Sequence, residues 1–100
     1  MPSLNVSVPH KLSESEATNR IRNLLGDLKT QFGNRIKNLQ ESWTQNAAQF
    51  SVEVMGFNIS GTLSIQPFQV SLTGQMPMAA LPFKSKIEDV IRERITVLLL

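Results

Sequence analysis

Residues 50–73 read FSVEVMGFNISGTLSIQPFQVSLT, and this stretch decides the fold. Apolar and polar residues alternate in three runs, 50–54, 57–65 and 68–73, with the two-residue period of half-buried β-strands. Gly56 and Pro67 separate the runs, and connections this short make neighbouring strands antiparallel. The stretch therefore predicts consecutive antiparallel strands with one apolar face that another layer must cover.

The chain before this stretch predicts a strand and a long helix. Residues 4–8 alternate in the same way until Pro9, which ends the strand because proline cannot donate to a sheet ladder. Ser13 and Glu16 have the spacing of a capping box, and apolar residues then recur at helical spacing. We predict one helix over 13–32, ended by Gly33 and Asn34.

Residues 35–43 fit two interpretations. Ile36 and Leu39 could extend the first helix past Gly33. In the alternative, the segment is a strand with Ile36 on one face and, on the other, Arg35, Lys37, Leu39, Glu41 and Trp43. The turn residues at 33–34 and the strands that follow favour the second interpretation.

A second amphipathic helix is predicted near the end of the chain. Pro82 suits a first helical position, and Ser85 with Glu88 is an alternative capping box that would start the helix one turn later. Its apolar stripe consists of Phe83, Ile87, Val90, Ile91, Ile95 and Leu98. The predicted order is strand, helix, four-strand meander, helix, which is an α+β fold with both helices on one face of an antiparallel sheet of about five strands.

Length and composition limit the classes of protein. One hundred residues can form a single domain over 1–100 without disulfides. With no cysteine and one histidine, we expect neither a metal site nor a cofactor. No apolar stretch approaches 18 residues and no leader peptide is visible, so we expect a cytoplasmic protein without a transmembrane segment. The net charge of +2 does not predict a nucleic-acid partner.

The most unusual pattern is the distribution of charge, because Glu53 is the only charged residue between positions 42 and 83. A neutral surface can be covered at lower desolvation cost than a charged one. The polar face of the sheet is therefore a candidate interaction face for a second copy of the chain, another protein or a polymer surface. It comprises Ser51, Glu53, Asn58, Ser60, Thr62, Ser64, Gln69, Ser71 and Thr73. The alternative is an ordinary solvated sheet surface.

Four apolar residues form a second candidate contact: Trp43, Val97, Leu99 and Leu100. Trp43 either closes the core or lines an opening between helix and sheet, and the C-terminal residues either dock in the core or face an apolar partner. His10 has no evident orienting carboxylate, so a structural role is expected and no catalytic residue is assigned.

Several weak motifs together resemble the polyhydroxyalkanoic acid system family. They are Pro9-His10-x-Leu12, Phe32, Trp43, Phe50, Gly56-x-x-x-x-Gly61-x-Leu63-x-Ile65, Val70-x-Leu72, Leu81-Pro82 and Lys86-Ile87-Glu88-x-x-Ile91. The resemblance implies a role at or near polyhydroxyalkanoate granules and provides no catalytic residues. The predicted layers also resemble a reduced helix-grip domain, a fold that includes lipid-binding proteins. Because this chain has fewer strands than those proteins, a large cavity is not expected.

These observations support three hypotheses about function. The first is a non-catalytic interaction module, associated with polyhydroxyalkanoate granules through the neutral sheet face or the apolar C-terminal helix. The alternative is a carrier of a small hydrophobic ligand or lipid, with a pocket between the first helix and the sheet. The third, an enzyme that uses His10 or Glu53, has the least support.

Overall fold

The computed structural model describes residues 3–100, and within them five strands form an antiparallel sheet in the order β1-β5-β4-β3-β2. The strands are β1 (Ser3–Pro9), β2 (Ile36–Trp43), β3 (Ala47–Val54), β4 (Phe57–Ile65) and β5 (Gln69–Gln75). The helices are α1 (Glu14–Ile21), α2 (Leu24–Phe32) and α3 (Lys84–Leu99). The helices pack on the apolar face of the sheet, which confirms the predicted α+β class.

The register of the strands places the alternating apolar residues of the meander on that face. Leu63 pairs with Leu72, and Ile65 pairs with Val70; all four side chains are buried. Strands β3 and β4 are joined by Met55 and Gly56, both with positive φ (51° and 87°). A two-residue connection of this kind matches the twist of a β-hairpin.

The predicted single helix over 13–32 is interrupted at Arg22 and Asn23, so that prediction is wrong in detail. Asn23 has φ −90° and ψ −2°, and its carbonyl accepts the Asp27 amide at 2.8 Å to begin α2. Asparagine is a weak helix former because its side chain competes for backbone hydrogen bonds. The predicted cap at Ser13 is present, since its hydroxyl accepts the Glu16 amide at 3.1 Å. The predicted end at Gly33 is also correct.

Residues 36–43 are a strand, which decides between the two interpretations, but the predicted faces are wrong. The register shifts between Lys37 and Gln40, and Asn38 has φ 55°. This β-bulge adds a residue to one strand and changes the side-chain alternation beyond it. Ile36 and Leu39 consequently lie on the same side of the sheet, the side that faces the helices.

The predicted C-terminal helix begins two residues later than Pro82. A 3₁₀ turn, Met78–Phe83, contains Pro82 and precedes Lys84. No side chain caps the first turn of α3, so the alternative capping box of Ser85 and Glu88 is not formed. The Glu88 carboxylate instead accepts a hydrogen bond of 2.9 Å from the backbone N–H of Asn5 in edge strand β1, which ties α3 to the sheet edge.

Candidate functional site: an apolar cavity under α2 and α3

A cavity of about 490 Å³ lies between α2, α3 and the apolar face of the sheet. Helices α2 and α3 supply six of its apolar side chains: Leu25, Leu28, Phe32, Ile87, Val90 and Ile91. The sheet supplies a further eight: Leu4, Ile36, Leu39, Phe50, Val52, Val54, Ile59 and Leu72. The expectation that this small sheet would not form a large cavity is therefore wrong.

The cavity exists because the helices pack over opposite edges of the sheet. Helix α2 contacts edge strand β2, whereas α3 contacts edge strand β1. Under α1 the core is closely packed, with Ala17, Ile21 and Ile95 fully buried. Over β3, between α2 and the first half of α3, Val52 and Val90 are only half-buried. Space therefore remains over the middle strands.

In the sheet beneath the cavity, an aromatic ring of β3 lies close to the backbone of the neighbouring strand β4. Gly61 pairs with Phe50 on one side and with Gly74 on the other. A Cβ at Gly61 would overlap the Thr73 carbonyl oxygen and lie 2.6 Å from the Gly74 Cα and 3.0 Å from the Phe50 ring. Only glycine fits at position 61, and because it has no side chain the Phe50 ring can lie close to the sheet in the wall of the cavity.

Two cationic and two apolar residues lie at the end of the cavity near the β3–β4 turn. Arg35 precedes β2, and its carbonyl accepts the Met55 amide at 2.9 Å. Phe83 precedes α3, and its ring centroid lies 5.9 Å from that of Phe57. Arg35, Met55, Phe83 and Lys86 all line the cavity and are all exposed to solvent. We call these four residues the mouth.

Arg35 and Lys86 are the only charged residues among those that line the cavity, within residues 3–100. The ion pairs of the described chain join Arg20 to Glu16, Arg92 to Asp89 and Arg94 to Asp27, and so involve neither mouth cation. The mouth is therefore positively charged, and its wall is otherwise apolar.

The predicted polar face lies on the opposite side of the sheet from the helices and the cavity. Cross-strand pairing brings eight of its nine residues into facing pairs: Ser51 with Ser60, Thr62 with Thr73, Ser64 with Ser71, and Glu53 with Asn58. Gln69 pairs with Pro9 at the sheet edge. Five of the nine are exposed and four, Ser51, Glu53, Ser64 and Ser71, are half-buried. The face is continuous and nearly neutral.

The four residues of the predicted apolar contact do not form one surface. Leu99 is only 9% exposed and belongs to the core, so its assignment as an exposed contact is wrong. Val97 and Leu100 are exposed, the latter by 86%. Trp43 is half-buried on the distant strand β2, where the Arg22 guanidinium lies 5.3 Å from its ring centroid.

His10 connects two parts of the sheet through hydrogen bonds. Its Nδ1 accepts the Leu12 amide at 3.1 Å, so Nε2 carries the proton and donates to the Gln66 carbonyl at 2.7 Å. The His10 amide also donates to the Phe68 carbonyl at 2.9 Å. The buried ring therefore joins the end of β1 to the β4–β5 turn, at the end of the sheet opposite to the mouth.

Sequence reasoning missed the mouth. The sequence predicts Arg35 on a strand face, and it marks Lys86 only as part of the family motif Lys86-Ile87-Glu88. Neither position carries a local signal, because the two residues are 51 positions apart and meet at the cavity only in the folded chain. The one available hint was the number of apolar residues predicted to face a single sheet.

No helix within residues 3–100 is both long enough and apolar enough to cross a membrane. The same part of the chain contains no cluster of three His, Cys, Asp or Glu side chains that could hold a metal ion.

The layers and the cavity define a helix-grip-type α+β domain. The chain belongs to the family described as "Putative polyhydroxyalkanoic acid system protein (PHA_gran_rgn)", which matches residues 4–99. This match confirms the family resemblance of the sequence motifs.

Two solved structures match nearly the whole chain, and the first of them has a similar fold. The solution structure of the Aha1 dimer from Colwellia psychrerythraea is 14% identical, covers 99% of this chain and 94% of its own, and has a TM-score of 0.60. The crystal structure of TTHA0849 from Thermus thermophilus is 12% identical, covers 98% of this chain and 92% of its own, and has a TM-score of 0.44. No curated protein matched the sequence.

Proposed function

We propose that this protein binds a small apolar ligand in the cavity between α2, α3 and the sheet, and that it does so in polyhydroxyalkanoate metabolism. The observation that carries the proposal is the size and chemistry of the cavity, about 490 Å³ with an almost wholly apolar wall. Ligand sites in proteins typically have volumes of about 300–1,000 Å³ and are mostly apolar.

The energetics of such a site favour a weak to moderate binder. Each methylene group removed from water contributes about 0.8 kcal/mol, so eight contribute roughly 6 kcal/mol. A gain of about 6 kcal/mol corresponds to a dissociation constant of about 40 μM, and the cost of association weakens this toward the millimolar range. This range suits a carrier that must release its ligand. We include no catalytic step, because both ring nitrogens of His10 are hydrogen-bonded to backbone groups far from the cavity.

The family supports the metabolic context, since its description refers to the polyhydroxyalkanoic acid system. Hydroxyalkanoic acids carry an alkyl chain, which is the chemistry that an apolar cavity accepts. Granule association is part of the proposal. We expect a fraction of the protein to sediment with granules in a density gradient prepared from a polyester-accumulating host. Recovery entirely in the soluble fraction would remove the granule from the proposal and leave the cavity in place.

Uptake of a neutral solvatochromic dye tests the cavity directly. We expect saturable dye binding to the purified protein, and loss of that binding in Ile87→Trp, whose larger side chain would fill the cavity. Val97→Trp is the matched control, because Val97 is an exposed residue of the same helix that does not line the cavity. Equal dye binding by both variants would contradict the assignment of the site.

A second candidate function is self-association through the polar sheet face. The observation in its favour is the continuous neutral surface, in which eight polar residues form facing cross-strand pairs. Five strands about 4.8 Å apart and seven residues long give a face of roughly 550 Å². A stable interface buries about 800 Å² per partner, so we expect only a weak homodimer. Aha1 from Colwellia is described as a dimer, which makes the oligomeric state worth measuring.

Sedimentation equilibrium at tens to hundreds of micromolar tests this second candidate. We expect a concentration-dependent dimer that Thr62→Lys abolishes, because Thr62 is exposed on a central strand of the face. Thr30→Lys, on the exposed side of α2, is the control and should dimerise as the parent does. A monomer at all concentrations, or a dimer that Thr62→Lys leaves unchanged, would exclude the sheet face as the interface.

A further inference from the structure

We propose that the ligand of the cavity is an alkanoate, bound with its alkyl chain inside and its carboxylate at the mouth beside Arg35 and Lys86. This inference rests on the proposed function and specifies the chemical class of the ligand. It assigns a role to the two charged residues of an otherwise apolar lining, and both of them are cations.

The charges around the mouth select an anionic headgroup. An apolar ligand without a headgroup would gain nothing from the charges of Arg35 and Lys86, and a cationic one would be repelled by both. None of the ion pairs within residues 3–100 joins an acidic residue of α2 or α3 to either cation. Glu88 accepts the Asn5 amide at the sheet edge, and Asp27 pairs with Arg94 at 3.4 Å. The guanidinium of Arg35 and the ammonium of Lys86 are therefore free to interact with a carboxylate.

The volume of the cavity selects an alkyl chain of intermediate length. A methylene group occupies about the volume of a water molecule, roughly 30 Å³, so the cavity of about 490 Å³ holds at most about sixteen such groups. A flexible chain does not fill an irregular space completely, which favours about eight to twelve carbons. Met55 and Phe83 at the mouth would cover the first methylene groups and leave the carboxylate close to water and to the cations.

Three ten-carbon probes that differ only in the headgroup test this inference: decanoate, decan-1-ol and decyltrimethylammonium. Calorimetric titration at low salt and below the concentrations at which the probes self-associate should give the tightest Kd for decanoate. The alcohol should bind more weakly and the ammonium weakest. Higher ionic strength should reduce the preference for decanoate, because solvent-exposed charge interactions are screened by salt.

Charge-neutralising variants identify the residues that recognise the headgroup. Arg35→Gln and Lys86→Gln should each raise the Kd of decanoate about two- to fivefold, the range expected for exposed ion pairs, and the double variant should raise it about tenfold. The Kd of decan-1-ol should not change. Lys11→Gln is the control, since it removes the same charge at the end of the sheet opposite to the mouth. A thermal unfolding curve equal to that of the parent protein verifies that each variant is folded.

The outcomes separate this inference from the proposed function. Equal Kd values for decanoate and decan-1-ol in the parent protein would overturn the alkanoate assignment and leave apolar ligand binding intact. Tightest binding of the ammonium probe would also overturn it, as would parallel losses of decanoate and decan-1-ol in the Arg35 and Lys86 variants. Failure of all three probes, together with failure of dye uptake, would refute the proposed function itself.

Discussion

Substitution of Val90 by phenylalanine tests whether the cavity is real space. Val90 is half-buried on α3 and lines the cavity, and phenylalanine adds four carbon atoms to it. If the ring enters the cavity, it buries about 50 Å² more apolar surface, which stabilises the fold by about 1 kcal/mol at 25 cal/mol per Å². Valine and phenylalanine have similar helix propensities, so the helix itself contributes little to the difference.

The matched control is the same substitution at Val70, a fully buried residue of β5 that does not line the cavity. There the ring has no space to enter, and overpacking of a filled core costs about 1–3 kcal/mol. Both valine and phenylalanine favour strands, so backbone preference again cancels. We therefore expect the two variants to differ by about 2–4 kcal/mol in free energy of unfolding, with opposite signs relative to the parent.

Urea denaturation monitored by circular dichroism measures these free energies, and thermal unfolding gives a second readout. In a domain of this size, 1 kcal/mol corresponds to about 4–8 °C in Tm. Val90→Phe should raise Tm and weaken the binding of apolar dyes. Val70→Phe should lower Tm, and the molecules that remain folded should bind the dye with unchanged affinity. Equal destabilisation by both variants would show that the space beneath Val90 is already filled, and the cavity argument would fail.

Three other matched experiments examine the packing, each by equilibrium denaturation. Gly61→Ala should destabilise the fold by several kcal/mol, since the added Cβ overlaps the backbone of β5. Gly26→Ala, whose added Cβ has nothing within 4 Å, should stabilise α2 by up to about 1 kcal/mol. The reverse order of stabilities would contradict the sheet geometry. His10→Ala should cost about 1–3 kcal/mol because two backbone groups lose their partners, and dye binding by the folded protein should persist. Leu99→Ala should lower the free energy of unfolding by about 2–5 kcal/mol, whereas Leu100→Ala should leave it almost unchanged. Similar losses in both variants would contradict the observed position of α3.

Local patterns in the sequence were sufficient for most of the secondary structure. The alternation in residues 57–65 correctly assigned Ile59, Leu63 and Ile65 to the buried face, because neighbouring side chains of a strand point to opposite sides. The cap at Ser13 and the stop at Gly33 were equally readable, since each depends on residues within a single helical turn. The family resemblance was also visible from motifs that extend along nearly the whole chain.

Errors occurred where a single residue changes the local geometry. Asn38 introduces a bulge that moves Ile36 to the face of Leu39, and no periodicity rule marks which asparagine will adopt a positive φ. Asn23 interrupts the predicted long helix, although the apolar spacing of Ile21, Leu24 and Leu28 continues without a break across it. At Asn23 the hydrophobic spacing continues across the break, and at Asn38 the altered spacing of Ile36 and Leu39 also fits an extended helix, so the pattern alone reveals neither irregularity.

The sequence by itself determined the strands, the helical segments and the division of the sheet into an apolar and a neutral polar face, because each of these follows from the spacing of neighbouring residues. Only the tertiary structure decided that α2 and α3 lie over opposite edges of the sheet, and that Arg35 and Lys86 line the cavity left between them. An apolar stripe in the sequence determines which side chains are removed from water when the chain folds. Whether the opposing side chains fill the space that they enclose depends on the distance between layers, which no local pattern encodes.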